Sequence, residues 1–525
     1  MAIKHFTTTA NGRILDPAGR DFRVIGTNVN GNAMWGQKNG RESSSVRQDI
    51  ELIADVWKFN TIRVVCTLQF NHPDVWNRIW HYDDIDAIVA DFTAKGVVTM
   101  LELHDYTGVY PLLEPGTVNA TGDARPVSLY EFTDGWIELA SKYKDNPYVW
   151  INIMNEPSHN NNDKEWVHVW REFFKKMDGR EYPGTNYDKQ LDVDTYYYVH
   201  DYIINALRNA GIDNLIVCDE NHYGQASFDV EDPLGNGSAC IYCGPKLSAK
   251  HKNLVYSIHP YGWTDFDKMK KYADTMKELN LAWIFGEYGP MWGDYATHQS
   301  TFNVLTIGQT HNIGHMYWDW SNDPMAVVDK DLPGIIGGWG WEIDCKDGTK
   351  PKNLSWYGKL LWDDTRGQLT LPLSRFTMPF LVNGDFAKGI TNPWHNHGGQ
   401  LQISKGASHD GSDCAQLLAG NNFTGQEVDP ANFKPGYSYV LSAWGKVSFG
   451  ASGDNELVFA YTPTGTNDEN QAAVLTFNAS EWEHKETTFQ IPADVKIAKA
   501  RVFFFRKDDA SATDFFFDKV NIRNA

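Results

Sequence analysis

Over its first two thirds the chain alternates short apolar runs with longer stretches whose apolar residues recur every three or four positions. The runs end near Asn28, Cys66, Leu103, Met154, Cys218, Ile258, Phe285 and Trp318, which makes eight strand candidates. Between them, "SVRQDIELIADVWK" places Ile50, Ile53 and Val56 on one helical face. The segments "DDIDAIVADFTAK", "SLYEFTDGWIELASKY" and "TYYYVHDYIINALRNAG" repeat that period. Ahead of the first strand, "ANGRILDPAGRDFRVIGTNVN" carries the turn signals of a small hairpin. Eight strand–helix alternations in about 300 residues predict a parallel (β/α)₈ (TIM) barrel.

Four segments, 106–127, 178–194, 222–250 and 321–350, are rich in Gly, Asn and Pro and read as long loops. Loops after barrel strands build the active face, and loops of such length are usually functional. The helix "SWYGKLLWDD" closes the alternation, and "LTLPLSRFTMP" has the composition of a linker. From Phe380 the pattern changes to short strands: "SYVLSAWGKV", "NELVFAYT", "AAVLTFN", "EHKETTFQI", "ARVFFFRK" and "DFFFDKVNI". The expected division is a barrel over 1–370, a linker over 371–379 and an all-β, jelly-roll-like sandwich over 380–525.

A length of 525 residues agrees with two domains. The formal net charge is −20, with no basic patch, which excludes nucleic acid as a partner and disfavours anionic polymers. The 20 Trp, 24 Tyr and 27 Phe mostly fill cores, but their flat faces also suit sugar rings. Cys240 and Cys243 form the C-x-x-C "CIYC" in a segment read as loop. His222, His251 and His259 lie at irregular spacing, so a short disulfide or two thiols is expected there rather than zinc. No apolar run reaches about 18 residues, so no membrane span is expected. The start "MAIKHFTTTA" does not read as a signal peptide. The expectation is a secreted or extracytoplasmic protein whose leader is not in this chain.

Barrel enzymes carry their reactive groups at the C-terminal ends of the strands. Here those regions hold Arg63 in "NTIRVVC", His104 and Asp105 in "LELHDYTG", and Asn155 and Glu156 in "INIMNEP". They also hold His259 and Tyr261 in "SIHPYG", Glu287 in "IFGEYG" and Trp318 in "MYWDW". Singly, each has a plain structural explanation: a solvated loop acid, a barrel salt bridge, a core histidine, a core tryptophan. Six strand ends sharing one cup point to chemistry instead. Two facing carboxylates are what glycoside cleavage requires, one protonating the leaving oxygen and the other attacking or activating water. A gap of ~5–5.5 Å means retention of configuration and ~6.5–9.5 Å means inversion. Adjacent strand residues point to opposite faces, so Asn155 and Glu156 can share the cup only where the strand bends or bulges.

"INIMNEP" and "IFGEYG" resemble the acid/base and nucleophile motifs of glycoside hydrolase family 5, over roughly residues 8–365. The resemblance implies a retaining barrel enzyme with Glu156 as acid/base and Glu287 as nucleophile. It implies Arg63, His104, Asn155, His259, Tyr261 and Trp318 as substrate-side residues, and no cofactor for catalysis. Arg63 and the Tyr261 hydroxyl would serve the nucleophile, and Asn155 the sugar's 2-hydroxyl. The two carboxyl groups are then expected at the retaining distance, with Arg63 within ~6 Å of Glu287.

"LELHDYTG", "VWINIMNEP", "NAGIDNLIVCDENHYGQ", "LVYSIHPYG" and "NLSWYGKLL" look most like the bacterial β-mannanase branch. The implied substrate is a neutral polysaccharide or oligosaccharide, β-mannan or glucomannan ahead of β-1,4-glucan, xyloglucan or xylan. Longer segments at 106–127, 226–250 and 321–350 depart from compact mannanases. A transglycosylase and a non-catalytic polysaccharide-binding barrel are the competing classes; both glutamates are present, which opposes the second. Residues 380–523 are similar to carbohydrate-binding modules of the family 4, 9 and 22 type, through "LVNGDFAKGITNPW", "FKPGYSYVLSAWGKV" and "FFFDKVNI". That similarity implies stacking aromatics among Trp394, Trp444, Tyr461 and Trp482. It also implies a structural calcium held by Asp385 and Asp518.

Overall fold

The computed structural model describes residues 4–29, 43–66, 82–103, 109–110, 127–157, 164–183, 188–226, 228, 237–291, 295–320, 326–329, 332–333, 335, 338–345, 347–371, 373, 380–386, 391, 394–396, 401–419, 423–448, 455–506 and 513–525. It divides into two compact units, one of residues 1–289 and 300–373, the other of residues 374–525 with the short segment 290–299. No helix among the described residues is long and apolar enough to cross a membrane.

The first unit is built on a closed barrel of eight strands. They are β1 (Ile25–Val29), β2 (Thr61–Cys66), β3 (Val98–Leu103), β4 (Val149–Asn152), β5 (Ile216–Asp219), β6 (Leu254–Ile258), β7 (Trp283–Phe285) and β8 (Gly314–Tyr317). All neighbours pair in parallel, and β8 closes onto β1. The fold expected from the apolar runs is therefore present.

Alternation along each strand sorts the side chains into two sets. Ile62 and Val64 of β2, Leu101 of β3, Ile151 of β4 and Tyr256 of β6 join the layer between strands and helices. The opposite parity points inward. Its lower tier is apolar: Val98, Met100, Trp150, Val217, Val255, Ile284 and Met316. Phe6 and Phe22 pack edge-on against Trp150; Phe6 belongs to the same cluster and the partly buried Phe22 packs against it. Further along the strands at the same parity, two positions on in β3, β4, β5 and β6, the side chains turn polar: Asn28, Arg63, Glu102, Asn152, Asp219 and Ser257, all buried. Polar groups above a packed apolar plug form the floor of the cup.

The helices are α1 (Tyr82–Ala94), α2 (Leu129–Ser141), α3 (Lys164–Asp178), α4 (Lys189–Asn209), α5 (Ala239–Lys250), α6 (Phe266–Glu278), α7 (Tyr295–Thr310) and α8 (Trp356–Asp364). Two segments expected as loops turn out partly helical. α4 begins inside 178–194, started by the Asp188 side chain, which accepts from the Gln190 and Leu191 amides. α5 occupies the end of 222–250, capped by Ser238 despite an internal Pro245. Cys240 and Cys243 thus stand on a helix, both buried, as thiols and not as a loop disulfide. The Cys243 thiol donates to the Val193 carbonyl.

The second unit is a sandwich of two five-stranded antiparallel sheets. One runs His395–Asn396, Phe423–Val428, Ile497–Arg506, Asn455–Pro463, Asn470–Phe477; the other Leu401–Ser404, Cys414–Leu417, Phe515–Asn524, Ser438–Val447, Glu483–Gln490. The inward parity of both sheets fills one core, with Phe459, Phe477, Phe504 and Phe517 at its centre. Trp394 and Tyr461 belong to that core, so neither can stack on a sugar. Trp444 and Trp482 are half-buried, but each has a ring face occupied within the unit. His409 lies parallel to Trp444 at 3.9 Å, and the Lys446 ammonium sits 5.0 Å from the Trp482 ring centre.

Candidate active site

Arg63 is the hub of the polar floor. It stands in β2 between Asn28 of β1 and Met100 of β3 and has no exposure. Its Nε donates to Asn152 Oδ1 at 2.7 Å. One terminal nitrogen donates to Asn28 Oδ1 and to Glu287 Oε1, at 3.0 and 2.7 Å. The other donates to Asn155 Oδ1 and to Asp219 Oδ2, at 2.8 and 3.1 Å. Glu102 Oε2 lies 3.8 Å away. All five N–H groups of the guanidinium are used. Burial works against its charge, but Glu102, Asp219 and Glu287 together outweigh burial and raise its pKa.

Glu287, 4% exposed, follows β7. Parity along β7 would send it outward, yet its carboxylate meets Arg63 and Tyr261, and Gly286 before it packs closely on β6 and His259. A Cβ on Gly286 would stand 2.1 Å from Ser257 Oγ and 2.8 Å from His259 Nε2, so only glycine allows this approach. Glu287 Oε1 accepts from Arg63, and Oε2 accepts the Tyr261 hydroxyl at 3.0 Å. Burial and then Glu287 itself push the Tyr261 hydroxyl well above its ordinary pKa, keeping it a donor. With one donor on each oxygen, the carboxylate plane is fixed.

Glu156 reaches the cup by a different bend. β4 ends at Asn152, and the chain turns at Glu156 through a left-handed backbone, φ 42°. The expected break in alternation is therefore a turn beyond the strand and not a bulge within it. Its amide faces Asp219 Oδ2 at 3.4 Å. His259 Nδ1 lies 2.9 Å from Glu156 Oε1 and 3.7 Å from Glu287 Oε1. A carboxylate oxygen of Glu156, one of Glu287 and a ring nitrogen of His259 all lie within 4.8 Å of one another. Burial would lower the pKa of His259, but Glu287, Asp219 and Glu156 raise it to about 9. The three carboxyl groups thus favour the charged form of the ring that lies between Glu156 and Glu287.

The structure thus brings together Arg63, Asn155, Glu156, His259, Tyr261 and Glu287. Trp318 follows β8 and donates its backbone N–H to the Tyr288 carbonyl, beside Glu287 in the chain. His104 lies outside the described residues. Asn28, Asn152, Ser257 and above all Asp219 belong to the floor and were not singled out in the sequence. The signal was there: each is a polar residue at an inward position within an apolar strand.

The calcium expectation in the C-terminal unit rests on Asp385 and Asp518, and among the described residues Asp518 has protein donors on both oxygens. Asp518 is fully buried, with Oδ2 accepting from Ser408 and Oδ1 from the Lys519 amide. Its acidic and imidazole company is His409 and Asp410. The Lys519 ammonium bonds Asp410, and Asp410, Asp518 and Asp385 together raise its pKa. A hard dication takes six to eight oxygens; here a lysine already supplies positive charge. Chelation by EDTA should leave the unfolding midpoint of this unit unchanged in calorimetry of the full chain, and Lys519→Gln should lower it. A rise of the wild-type midpoint with added calcium would restore the metal.

A family model described as cellulase (glycosyl hydrolase family 5) matches residues 15–324. A carbohydrate binding domain model matches residues 379–511. The mannan endo-1,4-beta-mannosidase of Cellvibrio japonicus is 23% identical over 289 residues, 54% of this chain and 54% of that protein. The chain thus spans about half the length of that relative. The mannan endo-1,4-beta-mannosidase of Streptomyces lividans is 23% identical over 344 residues, 64% of this chain and 72% of that protein. Among solved structures, a beta-mannanase from Thermomonospora fusca is 22% identical, with 68% of this chain and 94% of that chain covered and a TM-score of 0.45.

Proposed function

The chain belongs to glycosyl hydrolase family 5, and from that premise we propose that it hydrolyses β-1,4-linked neutral polysaccharide with retention of configuration, acting on β-mannan or glucomannan. The observation that carries the retaining reading is the approach of Glu156 and Glu287, with a carboxylate oxygen of each inside 4.8 Å. An inverting pair needs room for a water and stands ~6.5–9.5 Å apart. Glu287 attacks the anomeric carbon while Glu156 protonates the leaving oxygen. His259 occupies Glu156 Oε1, so the transferable proton rides on Oε2. After the leaving sugar departs, Glu156 takes a proton from water and the glycosyl ester on Glu287 is hydrolysed.

Support for mannan comes from the mannan-acting relatives. The cellulase description of the family model keeps β-1,4-glucan as the second reading. A polymeric substrate supports the reading of a protein that acts outside the cytoplasm. The test is product analysis on glucomannan, galactomannan, xyloglucan and carboxymethylcellulose, with proton NMR of the first reducing ends released. Mannan-containing polymers should be cleaved fastest and the β-anomer should appear first. Initial release of the α-anomer would mean inversion, and cleavage confined to carboxymethylcellulose would move the substrate to glucan.

A further inference from the structure

We propose that Asp219, at the end of β5, is a positioning residue for proton transfer: it holds the far side of the His259 ring and the backbone of Glu156, so that the acid/base keeps one fixed oxygen for the leaving group. The proposal rests on the retaining hydrolase reading above.

Asp219 is fully buried and meets four parts of the site. Its Oδ1 accepts from Asn152 Nδ2 of β4 at 2.9 Å. Its Oδ2 accepts from Arg63 of β2 at 3.1 Å. The same oxygen faces the Glu156 amide at 3.4 Å and His259 Nε2 at 3.5 Å. Every partner of this carboxylate is a donor. An asparagine of the same shape would turn its NH₂ against one of them.

The His259 ring shows why this matters. Nδ1 faces Glu156 Oε1 at 2.9 Å and Glu287 Oε1 at 3.7 Å. Nε2 faces Asp219 Oδ2 at 3.5 Å and Ser257 Oγ at 3.3 Å. A neutral imidazole has one N–H and can serve one side; the imidazolium has two and serves both. The charged groups around the ring are Glu156 after β4, Asp219 of β5 and Glu287 after β7, opposed by Arg63 of β2, with Tyr261 the nearby hydroxyl. Among the described residues Asp219 is the one anion on the Nε2 side. Without it the second proton loses its partner, and the ring can flip or change tautomer so that Nδ1 accepts where it had donated. Glu156 Oε1 would then be released, and its proton no longer confined to Oε2.

The experiment uses the full chain, with histidine NMR and steady-state kinetics. In the wild type both ring nitrogens of His259 should carry protons at neutral pH. In Asp219→Asn the ring should titrate at lower pH, and the alkaline limb of kcat/KM should move to lower pH with it. On polysaccharide kcat should fall ~10²-fold with little change in KM, the scale of lost general acid assistance. On an aryl β-glycoside with a dinitrophenolate leaving group, which needs no proton, the glycosylation rate should fall far less. An unmoved His259 titration, or equal losses on both substrates, would overturn the proposal. Where the amide variant does not fold, the wild type decides: a singly protonated His259 ring at neutral pH defeats it. Failure of the wild-type chain to cleave either substrate class would defeat the hydrolase reading instead, and the NMR titration is independent of that result.

Discussion

Glu287→Ala should abolish turnover, lowering kcat by ~10⁴–10⁶-fold, the scale on which removing a covalent nucleophile acts. The side chain it deletes is held by two donors, Arg63 at 2.7 Å and Tyr261 at 3.0 Å. Alanine opens the space beneath the anomeric carbon without touching Glu156. Added azide can enter that space, attack the sugar from the nucleophile's face and leave a glycosyl azide of inverted configuration. The measurement is rate against azide concentration, with NMR of the product. Near wild-type activity without azide would remove Glu287 from the mechanism.

Arg63→Ala should have the second largest effect, and it should strike stability as well as rate. Arg63 has no exposed surface, and Glu102, Asp219 and Glu287 stand within 3.8 Å of it. Removing the one guanidinium leaves these buried carboxylates without their common partner. Breaking a buried pair in this way costs about 3–5 kcal/mol. Arg63→Lys keeps the charge but not the fork. An ammonium has three donors, whereas five contacts run from the guanidinium to Asn28, Asn152, Asn155, Asp219 and Glu287. Lysine should therefore recover part of the stability and little of the activity. Urea unfolding and kcat measured on the same preparations separate the two; full activity in either variant would contradict the hub.

The sequence reached the barrel because its strands are buried on both sides and read as apolar runs, so a polar residue inside one stands out. Arg63 stood out in that way. Asp219 does not, because the apolar run before it ends at Cys218 and the acid reads as the first residue of a loop. Asn152 was hidden behind the louder Asn155 and Glu156, three and four positions on. Helix α5 was missed for another reason: its sequence "ACIYCGPKLSAK" holds Gly244 and Pro245, which signal turns, yet its Ser238 cap and buried face win locally. In the C-terminal unit the strands Leu401–Ser404 and Cys414–Leu417 went unread because "LQIS" and "CAQL" are short and carry little apolar alternation. Trp394 and Trp482 lie outside the long strands, so alternation does not sort them, whereas Tyr461 follows Leu457 and Phe459 into the core and Trp444 stands out of phase with Leu441 and Ala443.

The saturation of Arg63 has a consequence for how this site can change. A guanidinium with every donor committed to the protein has nothing left to offer a substrate, and its partners are tied to one another through it. The floor is thus a finished part, assembled before any sugar arrives and indifferent to which sugar that is. Natural drift or laboratory evolution toward a different backbone sugar should leave Asn28, Arg63, Asn152 and Asp219 untouched. The adaptive substitutions should collect in the segments that follow the strands, and a library built there should keep far more of its members active than one built on the floor.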